Sequence, residues 1–442
     1  MSKAAIYKFL GMHLCFEENY CSPVEPVTGQ DKTILRDLAN KIADIASLPV
    51  QEEKKQMWKK LNSLKSVRPL IWMDEICWHE MDVNGELDLA TSTEFSRRIE
   101  ASLRQTLYQW NYMPGDMVVE PVIYSPLAIS NTGIGVNKKM ETKMTDEMND
   151  IVSQHFSAII KDEDDVNQLK YPLILHDKDL TAETFNYYNE IFNGILRVEK
   201  RGAPGFWFAP WDHIVMLTGV QEVLFDLLAR PEYVHKMVKK MVDIGLNILD
   251  QYEAHNLLSL NNYNLRVGSG AYGYCDELPK DGYDPDRVRL KDQWGCAVAQ
   301  ILGSVSPEMH EEFALQYEKK WAERFGLLYY GCCEPLSNKI HILEKIPNLR
   351  KISISPWANV SEAAEHINSR YVISLKPASA ILAGNSWDPK VARSYLEEKL
   401  KAAGKNNVEI IMKDISTVGY HPERLWEWTK IALETAEKFT PR

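Results

Sequence analysis

Leu327-Leu-Tyr-Tyr-Gly-Cys-Cys-Glu-Pro335, Lys351-Ile-Ser-Ile354, Tyr371-Val-Ile-Ser-Leu375 and Val408-Glu-Ile-Ile-Met412 follow one another late in the chain, with a helical pattern between each pair. These runs are apolar almost throughout instead of alternating. A strand reads that way when both faces of a parallel sheet are covered. The intervening patterns predict helices over 338–345, 360–367 and 389–403, and another over 307–325 precedes them. Strand and helix alternate with short spacing, the signature of crossover-connected parallel strands.

Working outward, similar runs occur at Pro69-Leu-Ile-Trp-Met73, Met117-Val-Val-Glu-Pro-Val-Ile123, 257–260 and Cys296-Ala-Val-Ala-Gln-Ile301. The first half is less regular, and 171–175 and 206–208 are readable as strands or as loop. Before Ser66 the texture is helical. Ile34, Leu35, Leu38, Ile42 and Ile45 keep helical spacing after an opening at Asp31, and a charged helix is predicted around 52–64. No linker or repeat divides the chain, so residues 1–65 are read as a helical N-terminal extension and 66–442 as one α/β domain. Periodicity alone leaves an open doubly wound sheet and a closed barrel equally admissible.

The bulk numbers exclude several functions. The 442 residues carry 51 Lys and Arg against 62 Asp and Glu, a net charge of −11, which argues against a nucleic-acid footprint. With 45% hydrophobic residues, 12 Trp and 20 Tyr the chain can bury a sizeable core. It has no run of 18 apolar residues, and the N-terminal stretch is interrupted by Lys3, Lys8, His13, Glu17 and Glu18. Neither a membrane span nor a signal peptide is expected, and the expected location is cytoplasmic. Seven cysteines, an odd and small number, suit reduced thiols. The sequence leaves the oligomeric state open.

In a parallel α/β fold, reactive side chains gather where strands end. Here Asp74, Glu75, His79 and Glu80 follow the first run, Asn261 and Asn262 the third, and Gln300 ends the fourth. Cys332, Cys333 and Glu334 follow the next, then Ser355 and Trp357, Lys376, and finally Lys413 and Asp414. Unpaired buried charge is expensive, so such repeated endings point to a site. Thiolate and carboxylate at Gly331-Cys-Cys-Glu334 suit a zinc ion or a nucleophile. Adjacent strand residues face opposite ways, so one thiol with Glu334 and a residue from elsewhere, such as His310, builds an ion site more readily than both thiols. A small buried hydrophobe is the plain alternative. Glu75, Glu334, Lys376, Lys413 and Asp414 are the candidate catalytic residues, with Cys332, Cys333, Glu334 and His310 as candidate ligands. The aromatic segment Phe206-Trp-Phe-Ala-Pro-Trp-Asp-His213 suggests a pocket wall, so Trp207, Trp211 and His213 join Asn262, Gln300 and Trp357 as candidate substrate contacts. Gly268-Ser-Gly-Ala-Tyr-Gly273 matches a dinucleotide fingerprint, but no helix pattern follows it and it is read as a loop. His13-Leu-Cys15 lacks further ligands and is read as packing.

Arg68-Pro-Leu-Ile-Trp-Met-Asp-Glu-Ile-Cys-Trp78, Tyr330-Gly-Cys-Cys-Glu-Pro-Leu336 and Ile346-Pro-Asn-Leu-Arg-Lys-Ile-Ser-Ile-Ser-Pro-Trp357, with 371–377 and 408–414, resemble the uroporphyrinogen-decarboxylase-like superfamily, particularly its corrinoid-linked methyltransferase branch. The resemblance implies a TIM-type (β/α)8 barrel. It also implies a methyltransferase (a demethylase) that takes a methyl group from a small O- or N-methylated compound and passes it to a partner corrinoid protein, with zinc assisting. Two motifs depart from the family. The decarboxylase pattern Met-Arg-Gln-Ala-Gly-Arg is replaced by Met73-Asp-Glu-Ile-Cys77, and the His-x-Cys of the thiol methyltransferases by Gly331-Cys-Cys333, while Lys413-Asp414 stands where those enzymes place a last Cys. No Asp-x-His-x-x-Gly occurs, so a corrinoid would arrive on another protein. Two other readings stay open: a metal-free decarboxylase or lyase of a small carboxylic acid, and a non-catalytic barrel that binds a corrinoid or metabolite.

Overall fold

A computed structural model describes residues 13–21, 24–143 and 153–440; the reading of the extreme N-terminus as free of a signal lies partly outside them. Six parallel strands form the central sheet: β1 (Leu70–Met73), β4 (Trp294–Ala297), β5 (Leu327–Tyr330), β6 (Leu349–Ile354), β7 (Val372–Leu375) and β8 (Val408–Met412), in the order β4-β5-β6-β7-β8-β1. β2 (Val122–Pro126) and β3 (Arg197–Arg201) pair in parallel beside them. Every residue of β4, β5, β7 and β8 is buried, as their unbroken apolar runs require. Val360–Ile367, Pro389–Ala403 and Glu423–Lys438 are the helices that cover the late strands.

The sheet is open at both edges among the described residues, and side chains complete the hydrogen bonding there. On β1, the Ile71 N–H donates to the Asp116 carboxylate (2.7 Å), which the Arg68 guanidinium clamps at 2.6 and 2.9 Å. Beyond β4, the Asn261 side chain accepts from the Trp294 N–H (2.8 Å) and donates to the Trp294 carbonyl (2.9 Å). Gln293 donates to the carbonyls of Ala203 and Ser259. The run at 257–260 makes one parallel bridge, Leu258 with Ala203, and no strand. Buried backbone groups must find partners, and side-chain amides supply them where the ladder stops.

The extension forms two helices, Gly29–Ala46 and Pro49–Asn62. Thr28 caps the first. Leu35, Leu38, Ala39 and Ile42 pack in one core cluster with Ile99 and Leu103 of Glu94–Tyr112. The glycine-rich segment at 268–273 opens no helix. Its backbone lies against the Tyr329 ring of β5, where a Cβ on Gly268 (φ +57°) or Gly270 would come within 2.4 and 2.5 Å of ring carbons. Close approach, not phosphate binding, is why glycine occupies these positions. Among the described residues no helix is long and apolar enough to cross a membrane.

Candidate active site

At the carboxyl ends of β1, β5 and β8 the sequence candidates meet. Arg266 reaches Asp74 at 2.7 Å and Glu75 at 2.9 Å. Lys413 reaches the other Glu75 oxygen at 3.2 Å and Asp414 at 3.1 Å. Its ammonium also lies 3.7 Å from the Cys332 sulfur, and Cys333 Sγ stands 3.5 Å from Cys332 Sγ. Glu75 (φ +47°) and Asp414 (φ +54°) both hold left-handed backbone conformations on adjacent strand ends. Such strain costs about 1–3 kcal/mol per residue and concentrates at functional sites.

These contacts set the charges. Burial opposes ionisation of Glu75, but Arg266 and Lys413 outweigh it and hold the carboxyl at about 2. A hydrogen bond from Cys333, against the cost of burial, combines with Lys413 to lower the Cys332 thiol, whereas Cys333 is raised by the same hydrogen bond and by burial. Of the two thiols, Cys332 is the one displaced toward the thiolate. Lys376 lies deeper, donating to Tyr329 Oη (2.5 Å) and Ser374 Oγ (2.6 Å), and burial lowers its amine to about 7.

Next to this charged floor opens a cavity of about 670 Å³, a volume that suits a small ligand. Phe156, Val215, Met216, Val220, Ile301 and Trp357 give it apolar walls, and Asp212, Gln300, Cys333 and Glu334 its polar groups. Cys333 therefore joins the floor to the cavity. The helix Pro210–Thr218 explains one wall: Asp212, Val215 and Met216 share a face at helical spacing, while Trp211, Ile214 and Thr218 turn into the core. Burial raises the Asp212 carboxyl to about 6 despite a 2.8 Å hydrogen bond from Gln300. Glu334 is 1% exposed; one oxygen accepts from the Cys332 N–H (2.8 Å), the other has no hydrogen-bond partner, and burial raises the group.

Of the expected substrate contacts, Gln300 and Trp357 line the cavity, and Trp207 packs against Cys332. Trp211 is fully buried and donates to the Phe313 carbonyl. His213 stacks edge-on against Phe16 (4.8 Å), where burial lowers it to about 4, and Asn262 donates to the Leu278 carbonyl. Those three shape the surrounding structure. Glu80 ties two loops together by accepting from Thr417, Val418 and Tyr420.

The proposed zinc ligands do not assemble. His310 is buried, with Nε2 2.7 Å from Tyr330 Oη and Nδ1 3.3 Å from Lys339 Nζ. Glu334 is engaged with backbone, and the Lys413 ammonium stands beside Cys332 where a cation would have to sit. Among the described residues no three His, Cys, Asp or Glu side chains are placed to hold an ion. The donor set does not fit zinc as it stands.

Asp212 and Arg266 are site residues that sequence reasoning passed over. Asp212 sits inside the aromatic segment that signalled a pocket wall. Arg266 lies in loop without periodicity.

No protein-family model and no curated protein matches this chain. Among solved structures, a methyltransferase from Methanosarcina mazei is similar over 88% of this chain and 99% of its own, at 12% identity and a TM-score of 0.49.

Proposed function

We propose that this chain is a methyltransferase of the uroporphyrinogen-decarboxylase-like type, its broken arc of strands a (β/α)8 barrel, that removes a methyl group from a small O- or N-methylated compound. The observation that carries the reading is the apolar cavity in which a thiol and two burial-raised carboxyls, Asp212 and Glu334, meet at the strand ends. The walls hold a methylated body and exclude water. Asp212, raised by burial to about 6, faces the heteroatom losing its methyl group, as a hydrogen-bond donor when protonated and as a counter-ion when ionised, and Gln300 orients it for this. Lys413 and the Cys332 thiolate fix the charge of the floor.

A partner protein's corrinoid would supply the nucleophile that accepts the methyl group. The helix Val220–Ala229 suits such a partner: Val220 lines the cavity, and Phe225 and Leu228 of the same helix are 71% and 79% exposed. The lyase reading is less well served. A carboxylate substrate would face Asp212 and Glu334 in a cavity that no Lys, Arg or His lines among the described residues.

The test is incubation of the full chain with methoxy and N-methyl compounds carrying a labelled methyl group, together with reduced corrinoid proteins. Label on the corrinoid, falling at least a hundredfold in Asp212→Asn, supports the reading, and absence of transfer across the panel sinks it. Zinc at one per chain that falls in Cys333→Ser would overturn the metal-free arrangement.

A further inference from the structure

The cavity has an unbalanced composition. Two carboxyl groups reach it, Asp212 and Glu334, and among the described residues no cationic side chain lines it. The Lys339 ammonium, which acts on Glu334 through space, donates to the Leu302 carbonyl at 2.7 Å and does not line the cavity. Glu334 supplies an independent sign of a missing partner: it is 1% exposed, and its Oε1 has no hydrogen-bond partner. A buried acceptor left unsatisfied is costly, so a group that pairs with it binds at an advantage. The other polar lining groups, Gln300, Ser304 and Cys333, are uncharged, and most of the remaining wall is aliphatic or aromatic, with Phe156 and the exposed ring of Trp357. Carboxylates beside aromatic faces attract a cation whose surface is methyl groups.

We infer that the cavity selects a quaternary methylammonium compound, with Asp212 and Glu334 as its counter-ions. This rests on the methyl-transfer reading and narrows it to one substrate class. The chemistry balances without an acid. The N–CH3 bond breaks, its electron pair stays on nitrogen, the positive charge leaves with the methyl group to the corrinoid acceptor, and a neutral tertiary amine remains. No proton is required. Burial raises both carboxyls, and a cation beside them favours their ionised form.

Calorimetry on the full chain tests this with choline and its uncharged carbon isostere, 3,3-dimethylbutan-1-ol. Choline is expected to bind at least tenfold more tightly than the isostere, and the preference to vanish in Asp212→Asn with Glu334→Gln. Equal affinities, tighter binding of the alcohol, or binding of neither overturns the inference, and the comparison in the wild-type chain stands even if the double variant fails to fold. Transfer from methyl ethers without choline preference would refute only the substrate class. Choline preference without any methyl transfer would refute only the reaction.

Discussion

The floor and the cavity meet at Cys333 but treat charge in opposite ways. On the floor every ionised group has a counter-ion: Arg266 with Asp74 and Glu75, Lys413 with Glu75, Asp414 and the Cys332 sulfur. In the cavity two carboxyls face apolar walls with one amide, Gln300, and one thiol, Cys333, for company. Saturated charges hold a structure, whereas unsaturated ones are available to a ligand. Asp74 and Glu75 read in sequence like a catalytic pair, yet their bonds make them the scaffold on which the thiol pair stands.

The largest effect that separates the two regions is on stability. Arg266→Met leaves the buried Asp74 without its main partner, and breaking a buried pair costs about 3–5 kcal/mol. Asp212→Asn removes a carboxyl that burial already disfavours and is expected within about 1 kcal/mol of wild type. Urea unfolding of both variants checks this, and similar losses in the two would erase the distinction between floor and cavity.

Acid sharpens the same contrast, because the two carboxyls are displaced in opposite directions. The Glu75 carboxyl, ordinarily 4.5, lies at about 2 in the folded chain. Its contribution is full above 4.5 and is lost as pH falls from there to about 2. With a side chain 35% exposed, screening leaves about 2 kcal/mol of that contribution. Asp212 moves from 3.8 to about 6, so the folded state keeps a proton that the unfolded state releases, and stability falls as pH rises between those values. Unfolding measured from pH 3 to 7 in Glu75→Gln should lose the acid-side decline, and in Asp212→Asn the opposite slope.

The thiol pair gives the next effect. Lys413 stabilises the Cys332 thiolate, and thiolate is the species that alkylates. Lys413→Met removes one of the influences that lower the Cys332 thiol and is expected to slow iodoacetamide modification of the pair at pH 7 severalfold. Mass spectrometry resolves the two adjacent sites, and an unchanged rate would detach the floor from the reactivity of the thiols.

How far the sequence anticipated all this follows the same division. The strands at 327–330 and 408–412 and the helices at 360–367 and 389–403 lie where the apolar runs and their spacing place them. Burial on both faces writes itself into composition. The run at 257–260 and the flank of β1 were illegible because their pairing uses Asn261, Gln293 and Asp116 side chains, which leave no periodic trace. In the site, Glu75, Cys332, Glu334, Lys413 and Asp414 were legible as ionisable groups ending apolar strands. Asp212 was hidden on a helix face, and the choice of Trp211 and His213 on either side of it missed the residue that reaches the cavity.

The smallest effect tests whether the open wall of the cavity recognises anything. Trp357 is 78% exposed, so truncation to alanine removes little packing and stability should stay within about 0.5 kcal/mol of wild type. A ring that contacts a cation in an exposed setting contributes about 0.5–1 kcal/mol, which is about a two- to fivefold weakening of choline binding. The uncharged isostere should lose less, because it forfeits only contact area. Calorimetry with both ligands on Trp357→Ala therefore separates a wall that senses charge from one that only covers the ligand. Equal losses for the two would leave discrimination to Asp212 and Glu334 alone, confining the ligand-binding contrast with the floor to the pair of carboxyls beneath that wall.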